Sequence, residues 1–324
     1  MKVGITTTIP VEAVFAAGKT PVDLNNIFIT APSPQALVEE AEEEGYPRNL
    51  CAWIKGLYTV AKNDPEIGTI IAVTQGDCSN THALMETLML AGKEIIPFAY
   101  PFDRDYDLLA HQLEKLITAL GTTWEETVQV KKQLDEIRKF LVELDYLTFA
   151  EGKVTGFENH LWLVSSSDFN QDPVKFQKEL LEFLEKARRR PGEKEKLRIA
   201  YIGVPPIIPD LYDYLEERGA RVVFNEVQRQ FSMPYLAEDL VRQYQLYTYP
   251  YGIFARLKDI KEQLELREVD AVIHYAQSFC YRQIEDLIIR REIKLPILTL
   301  EGDKPGRMDA RTRMRVDAFL DMLR

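Results

Sequence analysis

The chain has 324 residues, 46% hydrophobic and 28% charged, with 16 Gly and 17 Pro. This is the composition of a folded globular protein long enough for two domains, and it excludes disordered and fibrous classes. With 40 Lys+Arg against 51 Asp+Glu the net charge is -11, which opposes nonspecific attraction to nucleic acid or an anionic membrane surface. Three cysteines, Cys51, Cys78 and Cys280, cannot all pair within one chain, so a disulfide framework is excluded as the basis of the fold.

The N-terminus, Met1 to Pro10, lacks a basic region followed by an apolar run, and no apolar stretch approaches the roughly 20 residues that cross a bilayer. The expectation is a cytoplasmic protein with neither a membrane nor a nucleic acid as partner.

In chain order, Lys2 to Pro10 reads as a buried strand, followed by a short helix that Gly18 terminates before Pro21-Val22-Asp23-Leu24. Helical patterns over about Pro34–Glu44 and Asn49–Lys62 precede Gly68–Thr74, a β-branched run that reads as a central parallel strand. A helix over about Asn80–Ala91 leads to a strand at Glu94–Phe98, and Asp103 is placed to cap the next helix. From Asp107 to Leu147 apolar residues recur at three-to-four spacing, which predicts a helical hairpin. A further amphipathic helix, Pro173–Arg188, ends in a mixed-charge run to Lys196 that contains Pro191-Gly192 and reads as a solvated linker.

The second half repeats this grammar: strand Leu197–Val204, helix to Arg218, strand Arg221–Val227, two helices, strand Asp270–Ala276, helix, strand Pro296–Leu300. The predicted class is α/β, with two similar parallel-sheet lobes, residues 1–104 and 191–324, joined by a helical segment over 105–190. The repetition extends to single residues, because Gln75-Gly76-Asp77-Cys78 and Gln277-Ser278-Phe279-Cys280 each place a cysteine three positions after a glutamine. Both cysteines then fall just past the carboxyl end of their lobe's third strand, where open α/β sheets place ligands. Two lobes facing one another would bring them into one cleft.

Cys51 opens a helix, where amide dipoles favour a thiolate. No Cys-x-x-Cys occurs, so zinc-ribbon, thioredoxin and ferredoxin patterns fail. Three widely spaced thiolates suit an iron–sulfur cubane with three irons anchored and the fourth open; the alternative is three buried small hydrophobes. Ala17-Gly18-Lys19-Thr20 resembles the end of a phosphate-binding loop, but Ala13 stands where that motif needs its first glycine. His82, His111, His160 and His274 are too scattered for a metal set, and the arginines at 307, 311, 313 and 315 read as partners for surface carboxylates.

Pro10–Gly18 with Pro21-Val22, the three cysteines, Leu295–Asp303 and Arg315–Phe319 together resemble the D-component family of 2-hydroxyacyl-CoA dehydratases, which includes benzoyl-CoA reductase subunits and double-cubane proteins. The resemblance covers nearly the whole chain. It implies a [4Fe-4S] cluster held between the lobes by Cys51, Cys78 and Cys280, low-potential electrons from an ATP-hydrolysing iron–sulfur activator, a homodimer or a heterodimer with a related subunit, and a small-molecule substrate for which a CoA thioester is one candidate. The implied chemistry is one-electron reduction or reductive dehydration; the alternative is a cluster-carrying electron-transfer or accessory subunit. A metal-free binding protein is the third reading.

One departure stands out. Where the dehydratase subunits carry a Pro-Glu-Asn type motif after the second strand, this chain has Leu24-Asn25-Asn26, so the acid of that motif is missing. Thr7, Thr8, Asn25 and Asn26 are the expected neighbours of the open iron, and three cysteines allow a single cubane.

Overall fold

The structure, a computed structural model, describes residues 1–193 and 196–324; Lys194 and Glu195 of the mixed-charge run lie outside the described residues. In the first half, β1 (Lys2–Ile5), β2 (Thr20–Asp23), β3 (Ile67–Gln75) and β4 (Glu94–Ala99) are interleaved with α1 (Val11–Ala16), α2 (Leu24–Thr30), α3 (Pro34–Glu43), α4 (Ala52–Asn63) and α5 (Thr81–Leu90). Then come α6 (Tyr106–Leu120), α7 (Trp124–Phe149), α8 (Gly156–Ser165) and α9 (Pro173–Arg188). The second half runs β5 (Leu197–Gly203), α10 (Leu211–Glu217), β6 (Ala220–Asn225), α11 (Glu226–Phe231), α12 (Leu240–Leu246), α13 (Ile253–Leu266), β7 (Ala271–Gln277), α14 (Asp286–Glu292), β8 (Ile297–Gly302) and α15 (Ala310–Leu323).

The two sheets have the orders β2-β1-β3-β4 and β6-β5-β7-β8, the same topology twice, with every neighbour parallel. Helices cover both faces, which is why the central strands are apolar runs without alternation: every residue of Ala271–Gln277 is buried. In each sheet the chain leaves the first strand to one side and returns on the other, so the switch points lie between β1 and β3 and between β5 and β7.

The first strand stops at Ile5 and does not reach Pro10. Beyond it the Thr6 hydroxyl accepts the N–H of Val73 at 3.1 Å, replacing the ladder, and Pro10 has no N–H to continue it. Gly18 ends α1 with φ +67. Gly121 (φ +80) closes α6 and Thr123 opens α7 with a reciprocal Glu126 capping box, which divides the long helical pattern in two. Asp105, not Asp103, caps α6, accepting the N–H of Leu108 at 2.8 Å, while Asp103 accepts the N–H of Asp105. Among the described residues no helix is long and apolar enough to cross a membrane.

A buried polar knot ties the sheets to the intervening helices. The Glu12 carboxylate in α1 accepts from Arg138 of α7 at 2.8 Å and from Gln243 and Tyr244 of α12 at 2.9 and 2.6 Å. Burial works to raise the Glu12 pKa, but the Arg138 charge and these donors hold it below the ordinary value. Three parts of the chain therefore share one charge, and removing Arg138 would leave Glu12 buried without a cation.

Candidate active site between the lobes

The carboxyl ends of five strands open onto one cavity of about 280 Å³. Thr6 and Thr7 follow β1, Asp23 ends β2, Asp77 and Cys78 follow β3, Val204 and Pro205 follow β5, and Gln277 and Cys280 lie at the end of β7. Cys51 joins them from the N-cap of α4. All three cysteines, spread over more than 200 residues of chain from Cys51 to Cys280, thus line the same space, and all are free thiols.

Backbone geometry at each thiol is specific. Cys51 is 6% exposed, and its sulfur faces the N–H groups of Trp53 and Ile54 in the first turn of α4. The Cys78 sulfur faces the N–H of Asn80, and that of Cys280 the N–H of Arg282. Such donors favour thiolates and tune metal-bound sulfur. Burial wins while the thiols are metal-free: it pushes Cys51 up to about 11 and Cys78, with the added repulsion of Asp77, up to about 12, and it raises Cys280. A positively charged group is what would make them thiolates.

The loops that deliver Cys78 and Cys280 are held tightly. Gly76 has φ +98, and a Cβ there would stand 2.8 Å from the Pro250 Cβ and 2.9 Å from that of Tyr100, closer than atoms pack. In the second loop the left-handed residue is Phe279, with φ +64. Among the described residues no trio of His, Cys, Asp or Glu stands close enough to hold a single metal ion. The three thiols share the cavity wall without forming a mononuclear site among the described residues.

Polar side chains line the cavity beside the thiols. Thr7 is 6% exposed, lines the cavity, and its hydroxyl has no hydrogen-bond partner among the described residues. Thr8 is buried one residue further on and does not line the cavity; it is the one residue of the expected set that the fold places elsewhere. Asn25 and Asn26 do line it, but as struts: Asn25 donates to the Thr6 carbonyl and to Asp23, both at 2.9 Å, and Asn26 to Ser167 and the Val164 carbonyl.

Sequence reasoning misses an acidic pair. Asp23 caps α2 and Asp168 ends the segment after α8, and the Asp23 N–H donates to Asp168 Oδ2 at 2.8 Å while Ser167 donates to Asp23 Oδ2 at 2.6 Å. Burial raises the Asp23 pKa; burial and then the Asp23 charge push Asp168 up to about 7. Asp168 is followed by three residues with positive φ, Phe169, Asn170 and Gln171 at +53, +50 and +68, of which Asn170 and Gln171 line the cavity. Each left-handed non-glycine residue costs roughly 1–2 kcal/mol, and such strain concentrates at functional sites.

His160 of α8 also lines the cavity and is held to about 4 by burial, so it is neutral at pH 7. His274 pairs with Asp286 at 2.7 Å and His82 meets the Thr74 carbonyl, both structural roles. The sequence carries a signal for α8 in Thr155-x-x-Glu158, a complete capping box. Arg188 and Arg190, in the expected solvated linker, pair with Glu143 and Glu158.

A search of curated proteins finds no match to this chain. A family model does match, that of the 2-hydroxyglutaryl-CoA dehydratase D-component, over residues 6–323. That span contains every strand except β1, all three cysteines and the whole cavity wall, so the chain belongs to the 2-hydroxyglutaryl-CoA dehydratase D-component family.

Proposed function

We propose that Cys51, Cys78 and Cys280 hold one [4Fe-4S] cluster in this cavity and that the protein is a low-potential reductase or dehydratase-like component. The observation that carries the reading is the convergence of three free thiols from three separate elements on one cavity, each sulfur facing backbone N–H groups. When bound, such a cluster supplies single electrons and, at an iron without a protein thiolate, a Lewis acid for a substrate oxygen.

The chain's own residues supply the rest. The unpartnered Thr7 hydroxyl can hydrogen-bond a substrate, Asn25 and Asn26 fix the β1–β2 wall, and the apolar Val204–Pro206 stretch keeps water from the opposite side. Electrons would come from an ATP-hydrolysing iron–sulfur activator in the cytoplasm, with a second copy or a related subunit completing the assembly; family membership supports this. The alternative, a cluster carrier without substrate chemistry, is favoured by the exposed apolar side chains beside Cys280, including Phe279, Ile284 and Leu287 at 49%, 70% and 66% exposure, which suit a protein contact.

Protein purified and reconstituted without oxygen should carry four irons and four acid-labile sulfides per chain, and Cys51→Ser, Cys78→Ser and Cys280→Ser should each lose most of that iron. A wild-type chain that stays colourless after reconstitution would end the cluster reading.

A further inference from the structure

The charge of the cavity wall is as informative as its thiols. Three carboxyl groups, Asp23, Asp77 and Asp168, line it, and among the described lining residues none is Lys or Arg. The nearest guanidinium whose charge bears on the acids, that of Arg282, faces Asp77 from behind the wall and is occupied by the Tyr249 carbonyl at 2.8 Å and by Glu285. The remainder of the wall is largely apolar, with Trp53, Ile54, Leu57, Leu161 and Phe231 among it.

We infer that the part of the substrate that enters this cavity is a small uncharged or cationic group with an apolar body, and that carboxylate- and phosphate-bearing groups are excluded from it. A buried anion needs a cation or several donors facing it. Here it would meet three carboxyl groups and no Lys or Arg among the described lining residues, and the donors on the wall, the unpartnered Trp53 Nε1 among them, are neutral. The wall already resists negative charge on its own residues, as the raised pKa values of Asp23 and Asp168 show.

Volume points the same way. At about 280 Å³, part of which the proposed cluster would take, the cavity lies just below the about 300 to 1,000 Å³ of small-molecule sites. It cannot enclose a nucleotide-bearing carrier. If a thioester is the substrate, its acyl group alone enters and that acyl group carries no second carboxylate. The Asp23–Asp168 pair, joined through the Asp23 N–H, is placed to accept a hydrogen bond or an ammonium from such a group.

This deepens the proposed function by naming the substrate class, and it rests on that reading only in taking the cavity to be the reaction site. The test reads binding on the full chain, with and without reconstituted iron, so its outcome is separate from that of the cluster. Three probes of one shape are titrated at pH 8 by calorimetry and by tryptophan fluorescence: 2-phenylacetamide, phenethylamine and phenylacetate, with coenzyme A as a fourth. The amide and the amine should bind at least tenfold more tightly than phenylacetate or coenzyme A. Trp53→Phe should remove the fluorescence response, Thr7→Val should weaken the amide, and Asp168→Asn should weaken the amine by more than the amide. Equal or tighter binding of phenylacetate or coenzyme A, or no binding of either favoured probe at millimolar concentration, would overturn the inference.

Discussion

The two lobes share a strand order and yet divide the work unequally. At the end of the second strand the first lobe has Asp23 and the second has Asn225, paired in register with Ile5 and Tyr201 of the first strands and each opening a helix. Asn225 is closed off: it donates to the Gly156 carbonyl and to Asn159 and accepts from Tyr212, at 3.0, 2.8 and 2.7 Å. Asp23 instead meets a second carboxyl group at the cavity edge. Likewise the helix that precedes the third strand is capped by Cys51 in the first lobe and by Gly252 in the second. After the first strand, Thr6-Thr7 in one lobe faces Val204-Pro205-Pro206 in the other. A repeated scaffold thus yields two thiols with Asp23 and Asp77 from one side and one thiol with Val204-Pro205-Pro206 from the other, while Asp168 comes from the segment between them.

The largest expected effect comes from cutting what holds the lobes in register. Arg138→Met leaves Glu12, fully buried, without its cation, and should destabilise the fold by about 3–5 kcal/mol in denaturant titration at pH 7. Because Glu12 has a lowered folded pKa, its contribution is present above the unfolded value and is lost as pH falls through the folded one. The variant's deficit should therefore shrink in acid.

Making the second lobe like the first is the next test. Asn225→Asp turns an amide N–H₂ that meets two acceptors into carboxylate oxygen, and should cost about 1–3 kcal/mol or more at pH 7. A change beside Asp23 on the other side of the comparison, Asp168→Asn, should depend on pH. The Asp168 folded pKa is raised to about 7, so the folded state holds a proton that the unfolded state, titrating near 4, has released, and wild-type stability falls as pH rises between those values. Relative to wild type, Asp168→Asn should be about 1–3 kcal/mol more favourable at pH 8 than at pH 5 by thermal or urea unfolding. A pH-independent effect would show that Asp168 is ionised in the fold throughout.

The repeat is legible in the sequence because it is local. Gln-x-x-Cys occurs within four residues in each half, and strand periodicity sets where those residues fall, so the amino-acid pattern alone puts Cys78 and Cys280 at strand ends. The helix start at Cys51 is readable for the same reason. Asp23 and Asp168 are separated by 145 residues and meet only because the segment after α8 folds back through a left-handed turn over β2, and no local pattern encodes that contact. The alternation of Val3, Ile5 and Ile9 overstates the first strand because Ile9 lies beyond the point where the Thr6 hydroxyl replaces the ladder. Thr8 illustrates the same limit, since a one-residue step separates a cavity wall from the interior.

The most direct test of the central claim, that three thiols from two unequal lobes hold one group with an open position, is the Mössbauer spectrum of the chain reconstituted with ⁵⁷Fe and sulfide. One iron should have an environment that differs from that of the other three, and it alone should respond to an added neutral ligand. Four equivalent irons, or none bound at all, would contradict it.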